Sequence, residues 1–299
     1  MCKKYFQQMA ETPFASRTAF AKNQARWSLD GQTIDYMGTK LHMEQVSQLV
    51  VSEFRQAHSL LYDELLFGAN DIAPIEAWRL QDDLDLDDYG GSWLTDERNA
   101  EILKGTQDAL LRQIEHRAEL RGVYVRTDQA GGLSLCPKAM ACYEAHVQEF
   151  LKRMVTLIHV PPAPPLRAPE LLSMVMVYVR YHKSQEQVGA ETENIRFLPR
   201  AIGDLLLTYL ALVPPLRQVF LRQRKPGALL SPYLWSSLDG EVWRDTAISS
   251  CLRRACARAE VPQFQVAWWR QAAASITKEK FSAKERANFD LEEIAAAEE

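Results

Sequence analysis

Cysteine is scarce in this 299-residue chain: there are five, an odd number, scattered from position 2 to position 256. So few dispersed thiols argue against a disulfide framework and fit a reduced, intracellular protein. Long apolar runs are missing as well. The longest, 205–213 (broken by Thr208) and 174–179, fall far short of the roughly 18 to 20 residues that cross a bilayer, so no membrane span is expected. The opening Met-Cys-Lys-Lys-Tyr-Phe-Gln-Gln is followed by polar residues and not by the apolar stretch of a secretory leader. No Gly-x-x-x-x-Gly-Lys-Ser/Thr string occurs, which removes an ATP-driven motor and any implied nucleotide cofactor, and no internal repeat is visible. Metal-ligand spacing is lacking too. Cys136, Cys142 and His146 contain no close pair, and Cys251 with Cys256 has no second pair, so no metal is expected. Asp85, Asp87, Gly90 and Asp96 echo a calcium loop, but Tyr89 and Asp96 stand where ligands of other types belong, and the segment reads as a surface loop.

What is present is a chain that is 47% apolar and long enough to bury a core as one large or two smaller domains. Spacings of three and four predict a mainly α fold, with helices over 41–67, 96–120, 138–158, 200–213, 245–260 and 264–280. Gly68, Gly122, Pro161-Pro162, Pro214-Pro215 and Pro262 supply the punctuation, and Thr95 a candidate N-cap. A Val-, Met- and Tyr-rich stretch at 174–181 pairs plausibly with 194–198 as a small β-hairpin. The formal charge of −4 conceals a segregation: residues 1–150 carry 15 bases against 23 acids, residues 151–289 carry 20 against 11, and the last ten hold five acids. The expected division is therefore an acidic helical region over 1–125 and a basic domain over 126–299, the basic part being suited to a phosphate backbone.

Three strings carry chemistry. In the first, Ile158-His159-Val160 leads through a proline turn to Leu166-Arg167-Ala168-Pro169-Glu170-Leu171-Leu172. In the second, Val179-Arg180-Tyr181-His182-Lys183-Ser184 puts Lys183 at the tip of the expected hairpin. The third, Val266-Ala267-Trp268-Trp269-Arg270-Gln271, heads an alanine-rich helix. With Arg196-Phe197-Leu198-Pro199, Tyr209-Leu210-Ala211-Leu212-Val213-Pro214 and Tyr233-Leu234-Trp235, this ordered set resembles the tyrosine-recombinase-like domain of fungal Crypton-type mobile elements and of telomere-linked RecQ-type helicase proteins, over about 157–281.

The resemblance implies a recombinase-like catalytic domain with a small hairpin or short antiparallel sheet, binding double-stranded DNA as a homo-oligomer in the nucleus. Arg167 and Arg270 would clamp the scissile phosphate, since planar guanidinium groups make paired, charge-assisted bonds to its oxygens. Lys183 would be the general acid for the departing 5′-oxygen. Arg180, His182, Arg253, Arg254 and Arg258 are further expected DNA contacts. Family members attack with a tyrosine downstream of the second arginine, but the last tyrosine here is Tyr233; Ala267 stands where the family has a histidine, and Arg167 and Lys183 are closer together than is usual. The expectation is DNA binding without independent cutting and rejoining. Plainer uses of the same residues remain open: a helix-start ion pair for Arg167 and Glu170, a solvated tip for Lys183, stacking of Arg270 on Trp268 or Trp269, and a solvated face for Arg253, Arg254 and Arg258. The alternative class is a non-enzymatic helical module that binds a protein partner.

Overall fold

The structure is a computed structural model that describes residues 25–69, 75–76, 79–82, 92–127, 131–161, 178–179, 194–195 and 198–280. The fold is mainly α, with small antiparallel sheets of two or three strands. Two compact units divide the chain: a smaller one containing residues up to Leu49 together with Leu252 onward, and a larger one containing most of 50–251. The boundary expected at 125/126 falls inside the larger unit.

The smaller unit begins with strands β1 (Arg26–Trp27), β2 (Thr33–Tyr36) and β3 (Thr39–His42), paired antiparallel in that order. Their turns explain the register. Asp30 accepts from the Gln32 amide at 3.0 Å and Ser28 Oγ from the Thr33 amide at 2.9 Å, with Gly31 at φ +64° closing the first turn. Met37 and Gly38, at φ +53° and +81°, make the second, the double left-handed conformation that matches strand twist. That register sets Ile34 opposite Leu41, both with no exposed surface. The sheet runs directly into helix α1 (Met43–Ser59), whose first part belongs to this unit.

The larger unit holds the rest of α1, its π-helical continuation over Leu60–Leu65, helices α2 (Ala109–His116) and α3 (Ala118–Tyr124), the hairpin β4 (Val125–Thr127) and β5 (Leu133–Leu135), helix α4 (Pro137–His159), the pair β6 (Tyr178–Val179) and β7 (Asn194–Ile195), and helix α5 (Arg200–Arg224). Its core is aromatic: Phe67, Tyr124, Tyr143 and Phe220 meet at centroid separations of 5.4 to 6.5 Å, and Phe150 stacks on Tyr209 at 5.0 Å. Buried arginines in this core are paired with carboxylates. Arg217 reaches both carboxylate oxygens of Glu144, and Arg153 lies 3.0 Å from Glu149 and 3.8 Å from the fully buried Glu53.

Several expectations change in detail. The helix expected to stop at 213 continues as α5 through Pro214 and Pro215 to Arg224. Each proline removes an amide donor and crowds the preceding turn, but burial of Val213, Leu216, Phe220 and Arg217 on either side keeps the helix going. The helix expected over 96–120 is broken instead. Asp96 caps a single 3-10 turn (Glu97–Asn99) by accepting from the Arg98 amide, Gly105 adopts φ +79°, and Arg117 is extended between α2 and α3. Strands β1 to β5 were not anticipated, whereas the antiparallel pairing of Tyr178 with Ile195 and Val179 with Asn194 occurs where a hairpin was expected. By length and apolarity α5 also passes for a membrane span, and 67% of its most apolar window is buried within the protein.

Candidate nucleic-acid interface

Four of the sequence-predicted residues, Arg253, Arg254, Arg258 and Arg270, fall in the smaller unit. Helix α6 (Thr246–Arg258) and helix α7 (Val266–Lys280) bring them there. On α6 the apolar stripe Leu252, Ala255, Cys256 and Ala259 is buried, which leaves Arg253 and Arg254 exposed and Arg258 half-buried.

The link between the two helices is ordered by its own backbone. The Val261 amide donates to the Cys256 carbonyl at 3.0 Å while Glu260 takes φ +56°, the left-handed cap that ends a helix and reverses the chain. Gln48 Nε2 holds the same corner by donating to the Ala259 carbonyl at 2.8 Å. Phe264 then stacks on Trp268 and Trp269, at 5.1 and 5.4 Å, as α7 begins.

One side of α7 is fastened to the sheet. Trp268 Nε1 donates to the Tyr36 carbonyl at 2.8 Å, Ser275 Oγ accepts from Trp27 Nε1 at 3.0 Å, and the Lys280 ammonium lies 5.3 Å from the Trp27 ring centre. Trp269, Ala272 and Ala273 are buried on the same helix. The remaining side is therefore fixed as well: Ala267, Arg270, Gln271, Ala274 and Lys278 are exposed, spaced by three and four along one face. Among the described residues no carboxylate pairs with Arg253 or Arg270. Over 252–280 there are six bases (Arg253, Arg254, Arg258, Arg270, Lys278, Lys280) against two acids (Glu260, Glu279), so the helix pair is electropositive.

Arg167, Arg180, His182 and Lys183 lie outside the described residues. The structure thus brings the α6 and α7 arginines into one unit and leaves the phosphate clamp of Arg167, Lys183 and Arg270 without a geometry. Gln271 and Ala274 were not singled out from sequence as site residues; their signal was the exposed face left once Trp268, Trp269, Ala272 and Ala273 are assigned to the buried one. Among the described residues no group of three or more His, Cys, Asp or Glu side chains could hold a metal ion. No protein-family model, curated protein or solved structure matches this chain.

Proposed function

We propose that this chain is a tyrosine-recombinase-like, mobile-element-derived protein that binds double-stranded DNA in the nucleus as a homo-oligomer, without cutting and rejoining it by itself. The observation that carries the reading is the exposure of Arg253 and Arg254 on α6 and Arg270 on α7, within a stretch, 252–280, that holds six bases against two acids. Guanidinium groups on a rigid helix pair are suited to phosphate oxygens, and the loss of condensed counterions supplies the driving force. No tyrosine lies between Arg270 and Glu299, so these residues supply phosphate contacts and no nucleophile. The resemblance makes Arg270 a phosphate contact, and it names Arg167, Lys183, Arg180 and His182, which lie outside the described residues, as the further candidates.

The test is binding of the purified chain to a labelled duplex across a salt series, with the Arg167→Ala/Arg270→Ala double variant as control. Three to five phosphate contacts give a slope of log affinity against log salt of roughly −2.7 to −4.5, and removing two arginines flattens it by about 2. Absence of binding at low salt, or indifference to both arginines, rejects the reading and favours a helical module that binds a protein partner.

A further inference from the structure

A phosphate-binding surface needs only positive charge, and α7 presents more than that. Its exposed face carries Ala267, Ala274 and Lys278 along the middle, with Arg270 on one flank and Gln271 on the other. Gln271 and Ala274 are three apart and Ala267 and Gln271 four apart, so they lie side by side on one strip. Two methyl-sized side chains there let the helix backbone come close to whatever it faces, and an amide side chain between them is a paired donor and acceptor. The opposite face is held by Trp268 on the Tyr36 carbonyl and by Ser275 on Trp27, which fixes the rotation of the helix about its axis. Before α7 comes an ordered turn, and before that turn a helix with exposed Arg253 and Arg254.

Resting on the DNA-binding reading above, we propose that α7 lies in the major groove of a duplex and reads sequence there. Gln271 is the reader. Its amide matches the N7 acceptor and N6 donor of adenine as a bidentate pair, and Ala274, one turn on, meets a thymine methyl. Arg270, on the adjacent flank, takes the phosphate edge of the same groove, and Arg253 and Arg254 on α6 hold the backbone across the turn. A helix pair used in this way sets its second helix in the groove, with base contacts near that helix's beginning and backbone contacts from the first. Charge complementarity and the small, polar face commit the surface to duplex nucleic acid of B form, whose major groove admits a helix; the A-form groove of double-stranded RNA is too deep and narrow for these side chains.

The experiment is selection of duplexes from a randomised DNA library by the full chain, followed by affinities for the selected and for a scrambled duplex. The expected result is an enriched short motif containing adenine, with the selected duplex bound about tenfold or more tightly than the scrambled one. Gln271→Ala then abolishes the preference at the adenine position, and Gln271→Glu, which can only accept, shifts it toward cytosine, an exchange that misfolding cannot produce. Arg253→Ala weakens selected and scrambled duplexes by the same factor. A motif that survives both Gln271 variants overturns the proposal, and so does tight, salt-dependent binding with no motif, although that result leaves the DNA-binding reading standing. Failure to bind any duplex overturns both.

Discussion

Arg217 and Glu144 form a two-pronged ion pair, with Nε donating to Oε2 at 2.9 Å and Nη2 to Oε1 at 2.8 Å, between helices α5 and α4. Their side chains are 6% and 14% exposed. Arg217 also donates to Tyr209 Oη and to the Ser236 carbonyl, and Gln148 bridges that same carbonyl to Trp243. One guanidinium thus ties two core helices to the segment that follows α5. Removing it leaves a buried carboxylate alone, so Arg217→Ala is expected to lower stability by about 3 to 5 kcal/mol, whereas Arg217→Met with Glu144→Leu lowers it far less. Urea melts of the single and double variants check this; equal losses would assign the effect to packing and not to the stranded charge.

The tyrosines of that core predict behaviour in alkali. Burial pushes Tyr124 up to about 12 and Tyr143 well above the ordinary value near 10, and burial also raises Tyr209 against the opposing pull of Arg217. Below pH 10 both folded and unfolded chains keep these phenols protonated, and stability is unaffected. Above it the unfolded chain loses its protons first, so stability falls as pH rises from 10 through 12. Phenolate absorbance followed beside far-ultraviolet ellipticity should show these three of the ten tyrosines ionising only as the fold is lost. Complete ionisation with ellipticity intact would contradict their burial.

Pro214 and Pro215 sit within α5, half-exposed, while the residues around them are buried. Pro214→Ala restores an amide donor to the helix and removes a ring from the preceding turn. The gain is offset in part by the freer unfolded chain, leaving a net stabilisation of about 1 to 2 kcal/mol. A rise in the denaturant midpoint at unchanged slope checks it. A fall would mean that the helix depends on the rings for its shape.

Glu260, exposed at φ +56°, ends α6 in a conformation that glycine adopts without penalty. Glu260→Gly is expected to raise stability by up to about 1 kcal/mol, a few degrees in melting temperature. The variant also deletes one of only two acids in 252–280, so duplex affinity should rise together with stability. Stabilisation without tighter binding would place DNA elsewhere on the chain.

How much of this was legible beforehand depended on which force dominated locally. Helix α4 was readable almost to the residue, because its apolar spacing, the proline at its start and the Pro161-Pro162 turn agree. At Pro214-Pro215 the local rule pointed to a stop and long-range burial prevailed. The β1–β3 meander carried a signal that was passed over: Asp30-Gly31 and Met37-Gly38 flank two four-residue strands whose inward residues are Ile34 and Leu41. The α7 face was half legible. The arginine stood out by charge, but Gln271 and Ala274 become meaningful only when the sheet shows which side of the helix is covered, and no sequence period reveals that the covering strands lie so far upstream.

That distance has a consequence for how the protein is made. More than 200 residues separate Leu49 from Leu252, yet Trp27 and Tyr36 complete their hydrogen bonds only with Ser275 and Trp268. A ribosome adding about 5 to 20 residues each second delivers α7 roughly 11 to 48 s after the strands. Strands of two and four residues make a small sheet, which gains from packing against a helix. Through that interval Trp27 and Tyr36 lack their partners on α7, which leaves the emerging sheet a segment of the nascent chain that a chaperone could shield.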